Sequence, residues 1–338
     1  MTLFNRGQTR PDLFPNAERL RGDRGGDLSA LRGRTWDAVI DTCGYVPRLV
    51  QASAAVLKDV VDHYTFISSI SVYADLRQPG LTEAAPVRTL ADPTIEEVGP
   101  QTYGALKALC ERAVDAMMPG RTLIVRPGLL VGPHDPTGRF TYWIQRGAAG
   151  GEVLAPGAPD RQVQCIDARD AAMWIVWMAE ERAAGAFNVT GPNAPLSMGE
   201  FLAECRQALH REVRFTWVPE AFLFEHGVSP WTELPLWVPA HASGVFSIDV
   251  SKAQRTGLGF RPLAITIRDT FQWAVQRAPK ASAPTRLASR ETRRLAWHKP
   301  VRQPCCKPGT RNMRSDPCTP IALDRETPES NLHGRHGR

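Results

Sequence analysis

The chain has 338 residues, of which 43% are hydrophobic, 22% charged and 8% aromatic, which is typical of a globular protein long enough for two modest domains. This composition excludes a collagen-like chain, a coiled coil and a wholly disordered protein. No stretch approaches the roughly 18 apolar residues that a membrane-spanning helix needs, and residues 1–10 do not resemble a signal peptide. We therefore expect a cytoplasmic protein that does not contact a membrane.

The net charge of +6 is concentrated at the C-terminus. Residues 279–338 contain 13 Lys and Arg against 5 Asp and Glu, or +8, which leaves −2 for residues 1–278. This segment is rich in proline and has no sustained apolar periodicity, so we predict that it is disordered. Trp297 is its one aromatic stacking platform, and nucleic acid is not an expected partner. The seven cysteines lack metal-ligand spacing and disulfide density, which predicts reduced thiols and no metal site.

Short apolar runs alternate with helical patterns along the first 278 residues, which predicts a mostly parallel sheet covered by helices. The predicted strands are 1–4, 18–21, 38–41, 64–68, 123–125 and 163–166, and the clearest predicted helices are 48–61 and 102–117. Asp170 is a candidate cap for a helix that continues to about Arg182. We divide the chain into a first domain over 1–140, a smaller domain over 141–278 and the basic tail. Residues 163–190 supply a strand and helix that return to the first sheet.

The sharpest chemical pattern is Tyr103-Gly-Ala-Leu-Lys107, whose i, i+4 spacing puts a phenol and an ammonium on one helix face. A fixed neighbouring cation favours the phenolate and brings the pKa of a tyrosine toward neutral pH, which makes a proton-transfer catalyst. The same spacing also occurs in surface pairs that have no catalytic role.

Two further segments give this pair a context. Residues 66–73 form an apolar strand that ends in serines at the carboxyl edge of the sheet, where open α/β sheets bind ligands. Residues 123–136 form a strand followed by a Pro- and Gly-rich loop. Taken alone, each of these segments also fits ordinary turn chemistry.

Together these segments resemble the extended short-chain dehydrogenase/reductase superfamily, in particular the NAD-dependent epimerase/dehydratase family, over residues 2–278. Later segments that fit the same family are Ile166-Asp-Ala-Arg-Asp170, Phe187-Asn-Val-Thr-Gly191, Asp249-Val-Ser-Lys252 and Gly259-Phe-Arg-Pro262. The resemblance implies an α/β fold with a Rossmann-like doubly wound parallel sheet and a smaller C-terminal substrate domain.

The resemblance also implies roles for the polar residues at the sheet edge. Tyr103 is implied as the catalytic acid/base, and Lys107 as the residue that lowers its pKa and holds the nicotinamide ribose. Ser69 is implied as the hydroxyl that orients the substrate oxygen, because the family's active hydroxyl lies four residues before the tyrosine of a Val-Tyr pair, here Tyr73. Ser68 is the alternative candidate for this hydroxyl, and the resemblance implies that it binds substrate.

For the cofactor, the resemblance implies that Asn5 and Arg6 follow the family's second strand, beside the adenosine ribose. A basic residue there suits the 2′-phosphate of NADP, so we favour NADP modestly over NAD. Asp23 matches the acidic residue that contacts adenine, and Thr42 lies at a strand end beside the adenosine. Each of these residues equally fits a turn or a helix cap.

The chain departs from the family at several positions. Ile70 and Ser71 replace the Asp-Glu pair of the family's 4,6-dehydratases, so we do not expect dehydration of a sugar nucleotide. Arg161, a candidate for binding a substrate phosphate, is offset from the family's usual arginine. No Gly-x-x-Gly-x-x-Gly turn joins a first strand to a first helix. We therefore expect an N-terminally truncated member that lacks its first strand and glycine-rich turn, with a gap inside the sheet.

These observations predict an NAD(P)-dependent oxidoreductase or epimerase that acts on a secondary alcohol or its ketone in a small-molecule, sugar-like substrate. A non-catalytic binding protein on the same scaffold and an inactive truncated product are the alternatives. A homodimer is a further open expectation. Trp143, Trp231 and Trp237 are candidates either for the wall of an apolar substrate cleft or for core packing, of which core packing is favoured.

Overall fold

The computed structural model describes residues 1–277, and the segment 279–338, where the sequence predicts disorder, lies outside the described residues. The strands are β1 (Thr2–Asn5), β2 (Glu18–Arg21), β3 (Trp36–Asp41), β4 (Val61–Ile67), β5 (Thr122–Pro127), β6 (Leu129–Val131), β7 (Gly151–Pro156), β8 (Gln162–Val163), β9 (Cys165–Asp167), β10 (Gly185–Val189), β11 (Leu196–Ser197) and β12 (Val213–Val218). The helices are α1 (Pro47–Leu57), α2 (Tyr103–Met117), α3 (Arg139–Ala149), α4 (Ala168–Glu180), α5 (Met198–Ala208), α6 (Glu220–Glu225), α7 (Ser251–Arg255) and α8 (Leu263–Arg277).

The central sheet has four parallel strands in the order β10-β5-β4-β3. Tyr64 and Phe66 of β4 pack in one apolar cluster with α1 and α2. Leu123 and Val125 of β5 pack in another with α4. Because side chains alternate along a strand and Phe66 is paired with Ile124, these two clusters lie on opposite faces of the sheet. The expected α/β class, with helices on both faces of a parallel sheet, is confirmed.

The first two strands stand apart from this sheet. β1 and β2 form a parallel pair of their own. Within residues 1–277, β3 pairs only with β4, and Ile40 on β3 remains 40% exposed. The sheet is therefore interrupted at β3, which agrees with the gap that the resemblance implies there.

The remaining elements form a second core. β7 and β12 pair in parallel, and Val213 of β12 is buried. The largest apolar cluster contains side chains from α3, α5, β7 and β12, including Phe140, Trp143, Phe201 and Trp237. Trp143, Trp231 and Trp237 are at most 5% exposed, which favours the core-packing alternative for these residues.

Two local expectations differ from the structure. The helix expected over 48–61 is α1, which ends at Leu57 because Val61 already belongs to β4. The predicted cap of α4 was one turn too late: the carboxylate of Asp167, not Asp170, accepts the backbone N–H of Arg169 at 2.9 Å. Asp170 lies inside the first turn, where it accepts hydrogen bonds from Arg261.

Candidate active site at the carboxyl edge of the sheet

A close backbone contact places the start of α2 beside the serine turn that follows β4. Gly104 is the second residue of α2, and a Cβ atom on it would lie 2.0 Å from the carbonyl oxygen of Ser71. Real Cβ atoms do not approach a carbonyl oxygen so closely, so only glycine allows this approach. The contact brings Tyr103, the first residue of α2, next to the turn that begins at Ser69.

Tyr103 and Ser69 interact through their side chains. Burial raises the pKa of Tyr103 above its usual value, and a hydrogen bond with the Ser69 side chain lowers it in part. The Ser69 Oγ atom also accepts the backbone N–H of Ser71 at 3.1 Å, which fixes the hydroxyl at the turn. At neutral pH the Tyr103 hydroxyl is therefore protonated and is a proton donor.

Lys107 lies one turn further along α2 and is only 2% exposed. Its ammonium donates to the carbonyl oxygens of Gly44 at 2.7 Å and Ile67 at 2.5 Å, at the ends of two neighbouring strands. It also lies 4.4 Å from the ring centroid of Phe66. Burial lowers the pKa of Lys107 to about 8. The expected lowering of the Tyr103 pKa by Lys107 is not seen here, because the ammonium is directed to these carbonyl groups and burial dominates at the phenol.

Ser68 has a different environment from Ser69. It is buried, and its hydroxyl donates to Glu111 of α2 at 2.5 Å. Arg126 of β5 donates to both oxygens of the same carboxylate, at 3.0 and 2.7 Å. Ser68 is thus held in a buried ion-pair network, whereas Ser69 contacts Tyr103. Of the two candidate hydroxyls, Ser68 is therefore engaged by Glu111, and Ser69 lies beside Tyr103.

The sequence reasoning missed this buried network. Arg126 also donates to the hydroxyl of Tyr73 at 3.2 Å, and Tyr73 in turn donates to the side-chain carbonyl of Asn188 at 2.5 Å. The network therefore connects β4, β5, β10 and α2 beneath the site. Two signals could have indicated it: Glu111 lies four residues after Lys107, and Arg126 is a charged residue inside an otherwise apolar strand.

The residues proposed for the adenosine end of a cofactor have local roles in the structure. The Asn5 side chain accepts the backbone N–H of Gly7 at 2.8 Å, and Asp23 accepts that of Gly25 at 2.9 Å. Both contacts are those of the alternative turn interpretation. Arg6 and Thr42 are exposed near the ends of β1 and β3.

A buried ion pair occupies the end of β3. Arg24 binds both carboxylate oxygens of Asp41, and Tyr64 donates to the same carboxylate at 2.8 Å. Burial acts to raise the pKa of Asp41, but the hydrogen bond and charge of Arg24 hold it below its usual value. Arg24 also donates to the Ser53 hydroxyl at 2.7 Å. The turn after β2 is thereby fixed to the central sheet beside Thr42.

Arg161 lies apart from Tyr103 and pairs with Glu220 of α6 at 3.1 Å. A substrate phosphate would therefore have to compete with this carboxylate. A cavity of 540 Å³ is lined by residues such as Cys165, Asp167 and Phe260, and its lining includes neither Tyr103 nor Lys107. The structure thus brings together Tyr103, Lys107 and Ser69, and does not bring Arg161 to them.

The described residues fit one end of a nicotinamide dinucleotide. Tyr103 and Lys107 meet at the carboxyl edge of the parallel sheet, where open α/β folds bind such ligands. A pyrophosphate is usually held by backbone amides of a glycine-rich turn at a helix N-terminus. Within residues 1–277, no Gly-x-x-Gly-x-x-Gly sequence is present, and α1 begins at Pro47 after Val46. The nicotinamide end fits these residues, and the pyrophosphate end has no such turn among them.

Comparisons with known proteins agree with this architecture. Residues 37–190 match the family model described as the NAD dependent epimerase/dehydratase family. UDP-glucuronic acid 4-epimerase from Bacillus cereus, solved in complex with NAD, aligns with 15% identity and a TM-score of 0.55, over 81% of this chain and 90% of that one. A dTDP-4-dehydrorhamnose reductase from Clostridium acetobutylicum ATCC 824 aligns with 17% identity and a TM-score of 0.54, over 82% of this chain and 100% of that one. UDP-N-acetylglucosamine 4-epimerase from Bacillus cereus aligns with 13% identity and a TM-score of 0.55, over 82% of this chain and 90% of that one. At these identities the likeness shows the fold.

A search of curated proteins found no match. In the part of the chain that the structure describes, no helix is long and apolar enough to cross a membrane.

Proposed function

We propose that the protein is an NAD(P)-dependent oxidoreductase or epimerase, because residues 37–190 match the model of the NAD dependent epimerase/dehydratase family. Its substrate is a secondary alcohol or the corresponding ketone in a sugar-like small molecule. The observation that carries the proposal is the side-chain contact between Tyr103 and Ser69, one helical turn from the buried ammonium of Lys107.

Each of the three residues has a distinct role in this proposal. Tyr103 moves the proton at the substrate oxygen, and the Ser69 hydroxyl orients that oxygen by a hydrogen bond. Lys107 holds the ribose beside the nicotinamide and keeps a positive charge near the phenol. A bound nicotinamide would supply the hydride chemistry that protein side chains cannot perform.

The charge state of the phenol sets what Tyr103 does in each direction of the reaction. Because burial raises the pKa of Tyr103, the hydroxyl carries its proton at neutral pH. In this form it donates to a ketone oxygen during reduction, and oxidation of an alcohol requires the phenolate.

We propose NADP ahead of NAD because Arg6 follows β1 and is exposed. An exposed guanidinium suits a 2′-phosphate, whereas an acidic residue at that position would suit the 2′-hydroxyl of NAD. We place the reaction in the cytoplasm, which suits the four free cysteines among residues 1–277, of which three are buried.

The family and the sugar nucleotides named for the aligned structures suggest a sugar-like substrate. Ile70 and Ser71 stand where 4,6-dehydratases carry an acidic pair, so epimerisation or reduction fits better than dehydration. Arg161 is a candidate for a substrate phosphate only if it exchanges Glu220 for that ligand.

A substrate screen tests the proposal. Candidate ketones and alcohols, including 4-keto and 4-hydroxy sugars with and without a nucleoside diphosphate, are incubated with the protein and NADPH, NADH or their oxidised forms. Reduced nicotinamide is followed by absorbance, and epimers, whose formation leaves the cofactor unchanged overall, are followed by NMR. Turnover of at least one ketone or secondary alcohol supports the proposal, and no turnover with any cofactor contradicts it.

A non-catalytic binding protein is the second candidate. It is favoured by the ion pair of Arg24 and Asp41 beside Thr42, at the strand end where the resemblance implies the adenosine. Such a protein would bind a sugar-like ligand, detected by calorimetry, and the ligand would be recovered unchanged.

A further inference from the structure

Three basic side chains from separate parts of the chain converge around Trp273. Arg10 lies in the loop after β1, and its guanidinium donates to Nδ1 of His134 at 2.5 Å. His134 lies in the loop after β6, with its ring centroid 5.6 Å from that of Trp273. The guanidinium of Arg277, at the end of α8, lies 5.3 Å from the centroid of the Trp273 ring.

No carboxylate neutralises this cluster in the part of the chain that the structure describes. Arg10 contacts His134, and Arg277 contacts the Trp273 ring; neither guanidinium forms an ion pair among residues 1–277. The charged groups that face His134 are therefore both positive. Burial lowers the pKa of His134, and the charges of Arg10 and Arg277 lower it further. The two guanidinium charges near His134 are thus not balanced by a carboxylate among residues 1–277.

The backbone at the central contact is also unusual. Arg10 has φ +46° and His134 has φ +74°, both in the left-handed region that non-glycine residues seldom adopt. Residues held in such conformations cluster at ligand clamps and other functional sites. The two side chains that meet at 2.5 Å are thus each presented from a strained position.

We propose that Arg10, His134 and Arg277 form a binding site for a phosphate group. The three side chains approach from three elements, and together they offer guanidinium and imidazolium donors to the several oxygens of one phosphate. When His134 is protonated, its Nδ1 no longer accepts from Arg10, and an anion among the three side chains accepts from both guanidinium groups and from the imidazolium. The site stands whether or not Tyr103 is catalytic. The phosphate is either free inorganic phosphate or a phosphate carried on a nucleotide.

The titration of His134, followed by NMR of its imidazole signals, tests this site. His134→Gln identifies the signals by their loss. The full chain is titrated in inorganic phosphate, in adenosine 5′-monophosphate and in sodium chloride at the same ionic strength. Arg10→Gln and Arg277→Gln remove one proposed ligand each. Arg255→Gln is the matched control, because Arg255 is also exposed and its guanidinium contacts only the Ser251 hydroxyl.

We expect phosphate to raise the pKa of His134 by about one unit relative to chloride, which corresponds to about tenfold tighter binding to the protonated form. The rise should be lost in Arg10→Gln and Arg277→Gln and kept in Arg255→Gln. Equal effects of the two phosphate probes would indicate a site for free phosphate, and a larger effect of the nucleotide would indicate a site for a nucleotide phosphate. A His134 pKa that is the same in phosphate and chloride, or a rise that survives both arginine substitutions, would overturn the proposal.

Discussion

Lys107 of the candidate site changes its charge within the pH range of ordinary assays. Burial lowers its pKa to about 8, so it is protonated below that pH and neutral above it. If its charge supports cofactor binding and proton transfer, kcat/KM falls as pH rises through about 8, the value for the free enzyme. The pH dependence of kcat/KM measures this directly.

Lys107→Arg is the control for that profile. A guanidinium keeps its charge far above pH 8, so we expect the alkaline fall to move to higher pH. The rate itself should be lower, because the larger planar group cannot reproduce both contacts with Gly44 and Ile67. An alkaline limb that stays at the same pH in Lys107→Arg would show that another group titrates.

The chemistry of single residues was only partly predictable from sequence. Tyr103 and Lys107 could be paired because their spacing along one helix is local. Ser69 was preferred to Ser68 from the resemblance, and the contact that engages Ser68 comes from Glu111, which is 43 residues away in the chain. Asn5 and Asp23 fitted a turn or a ligand equally well, and only the structure shows the turn contacts. Spacing within one helix could be predicted from the sequence, whereas the side-chain partners supplied by distant parts of the chain could not.

At the scale of elements, the approach of α2 to the serine turn depends on Gly104. We expect Gly104→Ala to lower the free energy of unfolding by about 1–3 kcal/mol, because the new methyl group meets the fixed backbone carbonyl of Ser71. It should also lower kcat/KM by shifting Tyr103 away from Ser69. Urea unfolding and kinetics measure the two effects. Gly99→Ala is the matched control, since its Cβ would meet only the Thr102 hydroxyl, at 3.8 Å.

The ion pair between α2 and β5 fixes the other side of the site. Glu111→Gln leaves the buried Arg126 charge without its carboxylate, so we expect the free energy of unfolding to fall by about 3–5 kcal/mol. Glu96→Gln removes an exposed carboxylate that pairs with Arg48, and should lower the free energy of unfolding far less, because solvent screens this pair. Similar decreases in the free energy of unfolding in the two variants would mean that the buried pair does not stabilise the packing of α2 on β5.

At the scale of the whole molecule, the separation of the β1–β2 pair is the most unusual feature. A two-stranded sheet is marginally stable by itself, and this pair is held by the Arg24–Asp41 ion pair and by apolar contacts of Phe4 and Leu20. We expect the amide hydrogens of β1 and β2 to exchange with solvent at least about tenfold faster than those of β4 in the same molecule. Hydrogen exchange followed by mass spectrometry measures this. Equal protection would mean that both sheets unfold as one unit.

The alternation of strands and helices predicted the parallel sheet, because buried strands and amphipathic helices leave strong local patterns. The burial of Trp143, Trp231 and Trp237 could not be separated from a cleft wall by sequence, since large aromatic residues serve both roles. The convergence of Arg10, His134 and Arg277 was equally invisible, because 267 positions separate the first arginine from the last.

The assignment of Tyr103 as the proton-transfer residue is tested most directly by a matched pair of tyrosine variants. Tyr45 lies with its ring centroid 6.3 Å from that of Tyr103, and burial raises its pKa to about 12. Turnover of the best substrate from the screen is measured for Tyr103→Phe and Tyr45→Phe, together with substrate affinity by calorimetry. We expect Tyr103→Phe to lose about 100- to 10,000-fold in kcat while its substrate affinity changes little, and Tyr45→Phe to stay within about threefold of the unmodified protein in kcat. Unchanged turnover in Tyr103→Phe, or an equal loss in both variants, would contradict the role assigned to Tyr103.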